Sequence, residues 1–209
     1  MEQELTPAER FKKAKQNKTH ASLENFKSLL KFPLDDFQEQ ACRALVQGHG
    51  VLVAAPTGAG KTIVGEFAIH LAVEKSQKVF YTTPIKALSN QKFAELQARY
   101  GEESVGLLTG DTNINSDAQI LVMTTEVLRN MIYANSNALI SLGFVVMDEV
   151  HYLADRFRGA VWEEVILHLP KDVKVVSLSA TVSNAEEFGA WLDEVRGDTS
   201  VIVSEIRPV

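Results

Sequence analysis

The stretch Ala55-Pro56-Thr57-Gly58-Ala59-Gly60-Lys61-Thr62 decides how this chain is read. An apolar run, Val51 to Ala54, precedes it, and apolar residues at helical spacing follow from Ile63 to Val73. Strand, glycine loop and helix in that order are the context a phosphate-binding loop requires. Gly58 and Gly60 let successive backbone N–H groups turn inward onto phosphate oxygens, where the positive end of the next helix also points. On this reading Pro56, Thr57, Gly58, Ala59 and Gly60 line the bound phosphates. Lys61 reaches the β- and γ-phosphates, and the Thr62 hydroxyl sits on Mg²⁺. The strict pattern G-x-x-x-x-G-K-[ST] is not met, because Ala55 takes its first position.

Composition narrows the class. At 209 residues the chain suits one α/β domain with a short extension. No apolar run approaches the ~20 residues of a membrane span, and the N-terminus has no signal-peptide core, so a cytoplasmic protein is expected. Cys42, the single cysteine, excludes an internal disulfide and a cysteine zinc cluster. Residues 1–31 carry seven Lys/Arg against four Asp/Glu, which leaves −9 of the net −6 on residues 32–209. So acidic a body argues against a broad basic surface for duplex DNA. A single strand can still be held by backbone amides, helix N-termini and a few side chains.

Upstream of the loop, Thr6-Pro7-Ala8-Glu9 reads as a helix start, and a second helix from Ser22 presents Leu23, Phe26, Leu29 and Leu30 on one side. Residues 1–31 are therefore expected as a basic helical extension, with residues 32–209 as the main domain. Phe32 could stack on a base, and the Gln38 amide could both donate to and accept from an adenine edge.

Downstream, three short apolar strands each end in small polar residues. Lys78–Thr82 runs into Thr83-Pro84-Ile85-Lys86-Ala87-Leu88-Ser89-Asn90, Val105–Leu108 into Thr109-Gly110-Asp111, and Ile120–Met123 into Thr124-Thr125-Glu126 and a helix carrying Arg129. Their ends imply a common ligand track along the carboxyl edge of one sheet. Asn113 to Asp117 reads as a turn. Phe144 to Met147 then leads into Asp148-Glu149-Val150-His151. In that setting Asp148 would hold Mg²⁺, directly or through water, and Glu149 would orient and deprotonate the attacking water. Arg156 and Arg158 read as surface or RNA-facing rather than as arginine fingers. A last core strand, Val173 to Leu178, ends in Ser179-Ala180-Thr181, whose hydroxyls could bond His151 and relay nucleotide state. Asn184 reads as a helix cap, and Val201 to Val203 as a final strand.

These stretches together resemble the first RecA-like domain of superfamily 2 helicases of the DExH-box group. The likeness is to superkiller-type RNA helicases, in the bacterial HelY-like branch. APTGAGKT resembles helicase motif I, whose usual first residue is Ala. TTPIKALSNQK resembles motif Ia, DEVH motif II and SAT motif III. TGD and TTE resemble later strand-contacting motifs, and Phe32 and Gln38 match adenine-recognition positions. The resemblance implies a mostly parallel sheet with helices on both faces, and an ATP- and Mg²⁺-using motor domain. It assigns catalysis to Lys61, Asp148 and Glu149, coupling to His151, Ser179 and Thr181, and nucleic-acid contact to Pro84, Lys86, Asn90, Gly110, Asp111, Thr125, Glu126 and Arg129. Single-stranded RNA is the expected partner, along with a second RecA-like domain that nothing after Thr181 resembles. A DNA-directed helicase and a nucleotide-gated binding module remain the alternatives.

Overall fold

A computed structural model describes Thr6 and residues 21–150, 159–180 and 184–206. The described residues form eight strands, most of them the apolar runs: β1 (Gly50–Ala54), β2 (Lys78–Thr83), β3 (Val105–Leu108), β4 (Asn113–Ile114), β5 (Ile120–Thr124), β6 (Leu142–Met147), β7 (Lys174–Ser179) and β8 (Thr199–Val203). They build one sheet in the order β4-β3-β5-β2-β6-β7-β1-β8. Every pairing is parallel except β3 with β4. Central parallel strands covered on both faces have no solvent side, which is why they read as continuous apolar runs.

Helix α1 covers residues 21–29, followed by α2 (Asp36–Gln47), α3 (Thr62–Glu74), α4 (Lys86–Tyr100), α5 (Thr125–Tyr133), α6 (Gly159–His168) and α7 (Ala185–Arg196). Alternation along each strand divides the core in two. Val51, Val53, Tyr81, Val146 and Leu178 pack with α1, α2, α3 and α4. Leu52, Phe80, Val145, Met147 and Val175 pack with α5, α6 and α7. Helices thus cover both faces, as expected.

Three local expectations change. Leu29 is 64% exposed, whereas Leu23 and Phe26 are buried and Leu30 packs partly buried against the core, so three of the four expected residues reach it. Phe26 meets the Phe67 ring edge-on at 5.0 Å, so the described part of the N-terminal segment shares the main core. The turn expected at 113–117 contains β4, whose two exposed residues pair antiparallel with Leu107 and Leu108. Asn184 precedes α7 without a side-chain cap bond, its backbone at φ −125° and ψ 18° instead of the extended form that aims a capping side chain. The Thr6 helix start, like His151, Arg156, Arg158 and Thr181, involves residues outside those described.

Phe26→Ala is expected to cost about 3–5 kcal/mol in urea unfolding, against about 0.5 kcal/mol or less for Leu29→Ala. Equal losses would show that α1 does not belong to the core. Burial, with the Glu39 charge adding, pushes the Cys42 thiol up to about 12. Cys42 should therefore resist alkylation at pH 8 in the folded protein and react in urea, as mass spectrometry of labelled samples will report.

Candidate functional site

The crossover from β1 to β2 passes over two positions that β7 and β6 later fill, while β8 adds on the other side of β1. The chain thus reverses direction across the sheet at β1, the kind of point where open α/β sheets bind ligands at their carboxyl ends. The glycine loop leaves β1 there. Ala55 N–H donates to Ser179 O at 3.1 Å, tying the loop's first residue to the end of β7. Gly58 and Gly60 take φ of +86° and +79°, a region open to glycine and costly for most other residues.

Lys61 is buried, and its ammonium donates to Ala55 O at 2.8 Å and Pro56 O at 3.0 Å. Burial pulls its pKa below the usual lysine value, while the Glu149 and Asp148 carboxylates pull the other way. That opposition places Lys61 and the two carboxylates in one site. Sheet geometry explains the meeting. Met147 and Leu52 both lie opposite Ser177, so Asp148 stands two residues below Ala55 along the strands. Val146 packs on the α3 side, and alternation turns Asp148 to that side as well.

Asp148 is held closely. Its N–H donates to Thr82 O at 3.0 Å, Tyr81 Oη donates to its Oδ2 at 2.7 Å, and Glu149 N–H donates to its Oδ1 at 2.9 Å. Burial, then the Asp148 charge, holds the Tyr81 phenol well above its ordinary pKa, so it stays a neutral donor. Tyr81 escaped the sequence reading because a tyrosine in an apolar strand looks like core. Glu149 follows at φ +59°, a left-handed turn that carries its side chain out of the strand's path.

Gln38 lies behind the loop. Its Oε1 accepts from Asp35 N–H at 2.9 Å, and its Nε2 donates to Gly60 O at 3.1 Å and Ala59 O at 3.5 Å. The amide expected on a base edge thus grips the loop backbone, and the residue is only 4% exposed. Phe32 is half exposed instead, and with Ile63, Glu66, Arg99 and Tyr100 it lines a cleft of about 640 Å³ that opens one residue beyond Thr62.

The expected ligand track is contiguous, because β3, β5 and β2 are neighbours. Lys86 and Asp111, from two of the strand ends, form an exposed ion pair at 2.6 Å, and that contact holds the Asp111 carboxyl below its usual range. Asn90 and Gly110 are exposed beside them in sequence. Other expected contacts face inward. Pro84 is buried, and Thr125 is buried with its Oγ1 donating to Thr83 O at 3.4 Å. Ser89 bonds Thr83 between side-chain oxygens at 2.7 Å. Arg129 turns to α6, 3.7 Å from Glu164, since α5 and α6 pack on the far face of the sheet. Glu126 is half-buried in the first turn of α5.

The DEAD/DEAH box helicase family matches residues 35–188 of this chain. The chain belongs to that family. Among helicases it is 68% identical over 189 residues to the probable helicase HelY of Mycobacterium tuberculosis, covering 90% of this chain and 21% of that protein. It is 48% identical over 188 residues to a chloroplastic DExH-box ATP-dependent RNA helicase, DExH15, of Arabidopsis thaliana, covering 87% and 16%. It is 47% identical over 195 residues to the antiviral helicase SKI2 of Saccharomyces cerevisiae, covering 90% and 15%. The Hef helicase domain of Pyrococcus furiosus shares the fold, with a TM-score of 0.62 at 20% identity over 81% of this chain and 37% of that one. This helicase chain therefore spans about a fifth or less of the length of these curated relatives.

Gln38→Ala would leave the Gly60 carbonyl and the Asp35 N–H without their side-chain partner. It is expected to weaken binding of a fluorescent ATP analogue by about tenfold, a cost of about 1.4 kcal/mol, within the range for a lost buried hydrogen-bond partner. Unchanged affinity would mean that the loop holds its shape unaided.

Proposed function

We propose that this chain is the first motor domain of an ATP-dependent RNA helicase. The observation that carries the reading is the glycine loop, with its buried Lys61, beside Asp148 and Glu149 at the carboxyl edge that also bears Lys86, Asn90 and Asp111. Nucleotide chemistry and a strand-sized polar track share one edge of one sheet.

The residues present fit a magnesium nucleotide. Two left-handed glycines shape a concave backbone, a buried ammonium stands in it, and two carboxylates lie near enough to act on that ammonium. Lys61 and the loop N–H groups would hold the phosphates, while Thr62 and Asp148 would hold Mg²⁺. When bound, Mg²⁺ neutralises phosphate charge and orients the oxygens that separate. Glu149 would accept a proton from the attacking water, and Phe32 would cover the base. Lys86 would exchange its Asp111 partner for a strand phosphate. Ser179 Oγ is the described hydroxyl of the coupling motif, and its backbone bond to Ala55 supports a route from the loop to β7.

The length of the relatives supports a larger enzyme, in which a second RecA-like domain closes over the nucleotide and completes the strand groove. An arginine supplied from outside such a site raises turnover on the order of 10³–10⁵-fold in other phosphoryl-transfer enzymes. Turnover by this domain alone is accordingly expected to be low. The name of DExH15, an ATP-dependent RNA helicase, favours RNA over DNA as the strand.

ATP turnover by the full-length protein should rise with single-stranded RNA, and Glu149→Gln should reduce it by about 10² or more. Equal stimulation by DNA of matched sequence would redirect the reading to a DNA helicase. Lys86→Ala should weaken strand binding uniformly across sequences. It should also lower the slope of log affinity against log salt by about 0.7, measured by fluorescence anisotropy.

A further inference from the structure

Tyr81 is fully buried on β2, with its ring among the apolar residues on the α3 side of the sheet. Packing alone does not require its hydroxyl, since phenylalanine would fill the same volume. The hydroxyl instead meets Asp148 Oδ2 at 2.7 Å, while Oδ1 of the same carboxylate accepts from Glu149 N–H at 2.9 Å. The Asp148 backbone N–H is fixed on Thr82 O at 3.0 Å. An aspartate anchored at one oxygen keeps rotation about its carboxylate bond. Donors on both oxygens and on the backbone remove that freedom.

The phenol is itself held in place. Its ring lies under the Lys92 ammonium at 5.4 Å from the centroid, and Lys92 pairs with Glu95 at 2.5 Å along α4. The donor position is therefore set by the sheet and by α4 rather than by Asp148. A carboxylate oxygen has more than one acceptor direction, so each oxygen keeps capacity for a cation after its internal bond is made.

We infer that Tyr81 is a positioning residue for the divalent cation: its hydroxyl fixes the plane of the Asp148 carboxylate that would hold the metal. The inference rests on the reading of Asp148 as the metal carboxylate. Hydrogen-bond partners of ligating groups typically change metal affinity or activity by about 10- to 100-fold when removed.

The test is the affinity of methylanthraniloyl-ADP for the full-length protein, with Mg²⁺ and with EDTA, in the unsubstituted protein, Tyr81→Phe and Asp148→Asn. Tyr81→Phe should bind within about twofold of the unsubstituted protein in EDTA and lose about tenfold of the gain that Mg²⁺ brings. Asp148→Asn should lose that gain too, and adding Tyr81→Phe to it should change nothing more. If Tyr81→Phe keeps the full Mg²⁺ gain while Asp148→Asn loses it, the positioning role falls and the metal role of Asp148 stands. If Asp148→Asn keeps the gain, the metal reading falls first and takes this inference with it. Electron paramagnetic resonance of Mn²⁺ with ADP at 4 °C reads metal occupancy apart from thermal stability. Normal Mn²⁺ affinity in Tyr81→Phe there would likewise overturn the inference.

Discussion

Everything at this site depends on strand register. Three strands separated in sequence, β1, β7 and β6, must stand side by side at the right height for loop and carboxylates to meet. The parallel ladders set that height: Val51 lies opposite Val176, and Val176 opposite Val146. A slip of one residue would send Asp148 to the far face, among the residues that pack on α6. Register is defended by burial, because both faces of β6 are closed and each of its six residues is buried. Hydrophobic burial thereby acts as the positioning device for groups that are themselves polar.

Polar anchors then refine what burial sets. The loop is tied at its start to β7 through Ser179, at its turn to α2 through Gln38, and across its mouth by Lys61. Ala55 N–H meets Ser179 O, Gln38 holds the Ala59 and Gly60 carbonyls, and Lys61 holds those of Ala55 and Pro56, so both ends of the loop are fixed and few shapes remain open to it. A similar logic governs the carboxylate pair, where neighbouring backbone and the phenol of Tyr81 share the work. Along the strand-facing edge the arrangement loosens. Lys86 and Asp111 meet in solvent, where water and salt screen an ion pair of this kind and it exchanges partners readily.

The strands and their order of use were legible because buried parallel strands have a plain signature, and the glycine loop and Asp148-Glu149 were legible from their neighbours in sequence. What sequence hid was contact at a distance. Gln38 finds its loop acceptors more than twenty positions away, and nothing local distinguishes an amide that braces a loop from one that reads a base. Thr125 and Ser89 looked like ligand-facing hydroxyls because they follow strand ends, yet Thr125 ties the end of β5 to that of β2, and Ser89 ties α4 to the end of β2. The two residues of β4 are too few and too exposed for any pattern, and form a strand only because Leu107 and Leu108 offer an edge.

The left-handed backbone at Glu149 has an evolutionary reading. For a side chain longer than that of asparagine or aspartate, this conformation costs about 1–2 kcal/mol, which glycine would recover. A population selected for thermal endurance alone would drift toward glycine or asparagine there, gaining melting temperature as it lost the carboxylate. If Glu149 accepts the proton from water as proposed, position 149 is a place where robustness and turnover pull in opposite directions.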